Sequence, residues 1–227
     1  LTSGIPVEYG GTGFSNMDNA IVCEELGWAC SGMFTSMMAN TLALTPIVLF
    51  GTDEQKKEFL TPLTEEMSFA AFGLTEREAG SDNSMVRTTA VKDGDEYILN
   101  GSKTFITNGG ISKVGVIFAS TDPTRGARGL SAFIVPMDTK GVIIGKKEDK
   151  MGHRASNTTE LYFDDVRIPA KNLLKREGFG FIVAMKTLDM ARPAVGAGAV
   201  GLARAAYEEA KKYAQSRVQF GKPIASF

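Results

Sequence analysis

The 227 residues are 43% hydrophobic and 22% charged, the profile of a globular chain long enough for a sizeable core and one or two domains. With 25 basic and 26 acidic residues the formal charge is -1, so no overall field gathers nucleic acid or coats an anionic membrane, and any anionic ligand must be met locally. Two cysteines and a single histidine from distant segments lack closely spaced ligand pairs, so no metal site is expected. Apolar runs are interrupted by Gly, Thr or a charge short of the roughly 18 residues a membrane span needs, so no transmembrane segment is expected.

From Asn16 to about Met67 the apolar residues recur at spacings of three and four, including Ile21, Val22, Leu26 and Trp28 and then Met33 to Leu49, which predicts a helical region. Cys23 and Cys30 fall two turns apart on one face, too far for a bridge, and read as reduced core thiols. Thr52 and Gln55 form a capping box that opens a solvated, charged helix through Glu58 and Phe59, ended or interrupted by Pro62. Gly10, Gly11 and Gly13 lack a following Lys-Ser/Thr, so they read as a structural turn.

After Ser68 the pattern changes to short β-type runs: Phe69 to Thr75, Arg87 to Lys92, Tyr97 to Leu99, Thr104 to Thr107, Val114 to Ala119, Leu130 to Val135, Val142 to Gly145 and Glu160 to Phe163. Asp93-Gly94 and Asn100-Gly101 read as hairpin turns, and this strand density is that of a sandwich or barrel. Beyond Gly178 the helical period returns with Phe181, Ala184, Met185 and Leu188, and Val195 to Tyr213 is rich in Ala and Gly, which lets helices approach closely. The order helices, strands, helices makes this an α+β chain, divided at 1–67, 68–176 and 177–227.

No G-x-G-x-x-G follows a strand, and neither a Walker A lysine loop nor a G-x-S-x-G elbow occurs. The informative segment is Phe72 to Asp82, in which an apolar strand delivers a hydroxyl and then a Gly-Ser turn whose backbone N–H groups suit a carbonyl-rich heterocycle or a phosphate. Gly73-Leu74-Thr75-Glu76, two residues, then Ala79-Gly80-Ser81-Asp82 resembles the signature of the acyl-CoA dehydrogenase family. Supporting matches are Ile5-Pro6 with Glu8 to Gly13, Asn100 to Lys103 with Phe105 to Gly109, Met151-Gly152 with Arg154 to Ser156, Leu188 to Arg192, and Arg217 with Gln219 to Pro223. The resemblance covers essentially the whole chain, in order.

It implies a fold of N-terminal helices, a middle β-domain and the start of a C-terminal helical bundle, and an FAD-dependent oxidation of the α and β carbons of an acyl-CoA thioester in fatty acid metabolism. Phe72, Leu74 and Thr75 would contact the flavin, with Thr75 donating to its pyrimidine edge. Phe105, Ile106 and Thr107 would line its other side, the ring of Phe105 packing on the isoalloxazine and the Thr107 hydroxyl approaching N5; burial of Phe105 as plain strand core is the competing reading. Ser81 would touch cofactor and the CoA portion of the substrate, and Asp189, Met190, Ala191 and Arg192 the acyl-CoA. Arg217 and Phe220 would reach the FAD of a neighbouring subunit, which implies a homo-oligomer, commonly a tetramer, with an electron-transferring flavoprotein as redox partner.

The resemblance has departures. Arg77-Glu78 stand where the family often has Pro-Gly, Met85 where it prefers a small residue, and Ala191 where some members carry the catalytic Glu. The base is therefore expected in a C-terminal part beyond Phe227, because the chain opens at Leu1 and stops within a patterned stretch, as if cut from something longer. The fragment alone would be inactive. Localisation stays open between cytoplasm and mitochondrial matrix. Rival readings are an acyl-CoA oxidase or related flavin oxygenase, a non-catalytic relative that binds a partner, and a helix-plus-sandwich protein without flavin.

Overall fold

A computed structural model describes residues 3–66 and 68–227; Leu1, Thr2 and Met67, the last residue of the expected N-terminal region, lie outside the described residues. Four helices come first: α1 (Asn16–Ala29), α2 (Ser31–Phe50), α3 (Asp53–Phe59) and α4 (Thr61–Glu65). The capping box at Thr52 and Gln55 forms as expected, with Gln55 N–H donating to the Thr52 hydroxyl at 3.2 Å and Thr52 N–H to the Gln55 carbonyl at 2.9 Å. A second box, Ser15 with Asp18, starts α1. The purely solvated reading of α3 needs correction, because Gln55 is buried and its amide donates to the carbonyls of Lys171 and Leu173. Pro62 sits in the first turn of α4, where its missing N–H costs nothing.

The thiols also differ from expectation. Cys30 has extended φ/ψ between α1 and α2 and is exposed, so only Cys23 is a core thiol; both are free. α2 carries no charge over 20 residues and is long and apolar enough to cross a membrane, so the interruption argument fails for it. Here it packs as an internal helix, with Ser36 and Asn40 buried and the Asn40 side-chain Oδ1 accepting from Ala70 N–H at 2.6 Å.

The middle region is one seven-stranded sheet: β1 (Phe69–Gly73), β2 (Thr89–Asp93), β3 (Glu96–Thr107), β4 (Ser112–Ser120), β5 (Leu130–Pro136), β6 (Val142–Lys147) and β7 (Thr158–Pro169). The spatial order is β1-β4-β2-β3-β7-β6, with β5 on the other edge of β4. β1 runs parallel to β4, whereas the β2-β3, β3-β7, β6-β7 and β4-β5 pairs are antiparallel. The central strands feed two cores by period-two alternation. Val114, Val116 and Phe118 of β4 join Ala132 and Ile134 of β5 in an outer core under the helices, while Ile117, Ala119, Phe133 and Val135 face an inner core with Leu161, Phe163 and Ile168.

The turn at Asp93-Gly94 is confirmed, with Asp93 opposite Glu96 and Gly94 at φ 59°. Asn100-Gly101 is not a turn; β3 runs through it with a bulge. Gly101, at φ 143°, lies so close to Thr88 that a Cβ would stand 2.7 Å from the Thr88 Cα, and the Asn100 amide exchanges two hydrogen bonds with Asp165 instead of closing a hairpin.

α5 (Gly180–Ser216) is a single helix of 37 residues that contains Pro193. It crosses α1 at backbone contact: a Cβ on Gly27 would lie 2.2 Å from the Gly198 carbonyl, and one on Gly201 1.9 Å from that of Glu24. Small residues thus set the crossing, as the Ala/Gly pattern predicts. A two-stranded ribbon, β8 (Val218–Gln219) with β9 (Lys222–Pro223), follows; Phe220 and Gly221 form its turn, both at positive φ.

Candidate active site

The two motif segments meet where β1 ends. β1 and β3 are not neighbours in the ladder, yet Thr104 N–H donates to the Thr75 carbonyl at 2.9 Å, one residue from Phe105. Behind this seam lies Lys103, 1% exposed and one of the largest fully buried side chains among the described residues. Its ammonium donates to Glu76 Oε1 at 2.6 Å and to the Leu74 carbonyl at 3.3 Å. Glu76 is fully engaged: Oε1 also accepts from the Thr88 hydroxyl at 2.6 Å and the Thr88 N–H at 3.1 Å, and Oε2 accepts from Arg87 N–H at 2.7 Å.

Burial pushes the Lys103 ammonium down to about 8, against the pull of Glu76. For Glu76, burial alone would raise the carboxyl, but Lys103 and the Thr88 and Arg87 donors together hold it below its ordinary value. Glu76 and Ala79 then close a tight turn by exchanging backbone hydrogen bonds, which leaves Arg77, Glu78 and Ser81 exposed. Arg77 pairs with Glu160 on β7 at 3.2 Å. The sequence signals for this network were the Glu of Gly-Leu-Thr-Glu and the Lys of Asn-Gly-Ser-Lys, neither of which sequence reasoning singled out.

Phe105 is not strand core. It stands 67% exposed at φ 57°, on the bulge between Lys103 and Ile106 where β3 slips against β7. A bulky side chain in the left-handed region is strained, and strain of this kind gathers at functional sites. The hydroxyls of Thr75 and Thr107, both half-buried, have no protein partner among the described residues. By contrast Ile106 and Leu74 turn their side chains into the inner and outer cores, so only their backbone remains for a ligand. Phe72 is half-buried beside the outer core, its ring 5.0 Å from that of Phe118.

A cavity of about 280 Å³ lies between α1, α2 and the middle of α5. Met190 and Ala191 line it with Leu26, Met37, Leu42 and Leu49, an apolar wall broken by threonines such as Thr41 and Thr45, whose hydroxyls turn back onto their own helix. Asp189 and Arg192 are exposed and paired with each other. Arg217 and Phe220 stand at the far end of α5, exposed; the Phe220 ring, 93% exposed, meets only Phe227 edge-on at 6.0 Å. His153 is exposed in the β6–β7 connection, where Nδ1 lies 3.0 Å from the Thr35 hydroxyl and 3.1 Å from the Ser31 carbonyl, which ties that connection to α2.

Comparison with known proteins decides the family. Family models match in three consecutive pieces: acyl-CoA dehydrogenase N-terminal domain over residues 1–67, middle domain over 71–166 and C-terminal domain over 178–227. The chain belongs to the acyl-CoA dehydrogenase family. The short-chain specific acyl-CoA dehydrogenase of Clostridium acetobutylicum is 46% identical over 99% of this chain and 60% of its own length. A chain solved in work on the electron transferring flavoprotein of Acidaminococcus fermentans is 47% identical with a TM-score of 0.96, matching all of this chain and 60% of that one. An acyl-CoA dehydrogenase from Bacillus anthracis solved in complex with FAD is 39% identical with a TM-score of 0.94, matching all of this chain and 39% of that one. The chain therefore spans about three-fifths of the length of the Clostridium acetobutylicum relative and of the chain from the Acidaminococcus fermentans work.

Proposed function

We infer that the protein dehydrogenates a short-chain acyl-CoA thioester to its 2-enoyl thioester, with FAD as hydride acceptor. The observation that carries this reading is the exposed, strained Phe105 beside the seam with Thr75, where the half-buried hydroxyls of Thr75 and Thr107 have no protein partner among the described residues. An apolar ring with hydroxyl donors on either side fits a flat heterocycle with a carbonyl-rich edge. FAD, when bound, supplies the N5 atom that takes the β hydride.

The chain's own residues then have distinct tasks. Phe105 offers a face for the isoalloxazine and shields it from water, and the Thr75 hydroxyl donates to the pyrimidine edge. Thr107 offers a hydroxyl beside N5. Ser81, in the exposed turn after Glu76, is placed for the phosphate-bearing parts of cofactor and substrate. Met190 and Ala191 hold the acyl chain in the cavity, while Asp189 orients Arg192 at its rim. Arg217 and Phe220, with no role in the packing of the β-domain, serve the FAD of another subunit in a homo-oligomer. Ala191 has no carboxylate to remove the α proton, so that base comes from the part of the protein outside this chain, and an electron-transferring flavoprotein reoxidises the cofactor.

The short-chain assignment draws on the Clostridium acetobutylicum relative. The test is the visible spectrum of the full-length protein loaded with FAD, titrated without oxygen with butyryl-CoA and then octanoyl-CoA. Bleaching of the flavin by butyryl-CoA first is the expected result. Retained yellow colour with every thioester would overturn the activity, and failure to take up FAD would overturn the cofactor.

A further inference from the structure

Lys103 is the least expected residue in the core. A long, charged side chain is almost never fully buried unless something specific holds it, and an ion pair in such a place seldom stabilises more than apolar packing of the same volume. Its presence therefore calls for a task besides stability. The geometry names one. The ammonium has two partners, the carboxylate of Glu76 and the carbonyl of Leu74, and these flank Thr75 in sequence. Residues 74 and 75 follow the end of β1 without a strand pairing among the described residues, and Glu76 bridges only within its own turn, to Ala79. Lys103 holds the residues on either side, and among the described residues the backbone of Thr75 itself is held by the bond from Thr104 N–H.

We propose that Lys103 and Glu76 are a positioning pair for the cofactor: the buried ammonium clamps both sides of Thr75 and so fixes the Thr75 hydroxyl relative to the Phe105 ring. The same side chain belongs to the strand that carries Phe105, two residues on, so one ion pair sets the spacing between the two walls of the site. Glu76 extends the clamp outward, since its carboxylate also ties down Arg87 and Thr88 and thereby the base of the loop that carries Ser81. Neither charge faces the ligand; both act through the backbone. This inference rests on the flavin reading of the Thr75–Phe105 wall.

The experiment uses the full-length, FAD-loaded protein with four variants: Lys103→Met, the charge-free double variant Lys103→Met with Glu76→Gln, Thr75→Ala and Phe105→Ala. Thermal unfolding of each apoprotein is measured beside the FAD dissociation constant and the visible spectrum of the reloaded protein. A positioning role predicts FAD binding weakened roughly 2- to 10-fold, the loss of one neutral hydrogen bond from the displaced Thr75 hydroxyl, together with an altered flavin spectrum in the folded double variant. The double variant leaves no unpaired charge, so it stays folded where Lys103→Met fails. Wild-type affinity and spectrum in the double variant, with only its melting temperature changed, overturns the positioning role while Thr75→Ala and Phe105→Ala still weaken binding. Wild-type FAD affinity in all four variants, or a wild-type protein that takes up no FAD, overturns the flavin reading and this inference with it.

Discussion

The β-domain wall and the residues of α5 are two different kinds of site. Thr75 and Phe105 are held by a seam, a buried ion pair and a strand bulge, whereas Asp189, Arg192, Arg217 and Phe220 stand exposed on one long helix and the ribbon after it. In the first region the groups that hold the site also hold the fold. In the second they are separate, because an exposed side chain contributes little to packing. Substitutions of the buried pair behind the wall should therefore move stability and ligand binding together, and substitutions of these exposed residues on and after α5 binding alone.

The largest expected effect is that of Glu76→Gln, which leaves the Lys103 charge buried without its partner. Unfolding by denaturant should show a loss of about 3–5 kcal/mol. The same residue gives a pH signature. Its folded carboxyl lies below the ordinary 4.5, so the folded state binds fewer protons than the unfolded one in that range. Its contribution is complete above pH 4.5 and is lost as pH falls through the lower folded value. Asp18, Asp82 and Asp122 are shifted down as well, by hydrogen bonds from Ser15, Ser84 and Thr124, so the wild type minus Glu76→Gln difference in melting temperature isolates the Glu76 part. That difference should shrink below pH 4.5; a constant difference down to pH 3 would be evidence against the ion pair.

Next comes Gly201→Ala. A methyl 1.9 Å from the Glu24 carbonyl forces α1 and α5 apart, and a loss of roughly 1–3 kcal/mol in denaturant unfolding is expected. Phe105→Gly sharpens the contrast within the wall. Relief of the left-handed strain, about 1–2 kcal/mol, is offset by the backbone entropy of glycine, about 0.5–1 kcal/mol, so apoprotein stability should hold or rise slightly while FAD retention falls. A destabilised apoprotein would mean that Phe105 is packed after all. Arg217→Ala should leave melting unchanged and weaken FAD retention in the full-length protein, as measured by gel filtration and the visible flavin absorbance that stays with the protein. The smallest effect is expected from Arg77→Ala, since an exposed pair with Glu160 gains little against solvent; equal melting temperatures at low and high salt would agree with that.

Much of this was legible in the residues. The change of period at Ser68 and again near Gly178 marks the order of helices, sheet and helix, because side-chain periodicity is local. The capping box at Thr52 and the turn at Asp93-Gly94 could be read for the same reason, each needing only a few adjacent residues. The motif spacing brought the Thr75 and Phe105 segments to notice together. Local chemistry could not reveal that Asn100-Gly101 is a bulge within β3, since the same dipeptide serves a turn or a close approach, and the contact with Thr88 decides which. Nor could it assign faces: Ile106 and Phe105 are adjacent and both apolar, yet the slip of β3 against β7 buries one and exposes the other.

By itself, then, the sequence determined the family and the element order, both properties of short stretches and their spacing. The tertiary structure alone decided that Lys103 lies wholly buried on Glu76, that α2 is an internal helix, and that Arg217 and Phe220 stand clear of the wall. Those outcomes depend on which strands and helices meet across long separations in the chain, and burial, charge pairing and strain exist only once they have met.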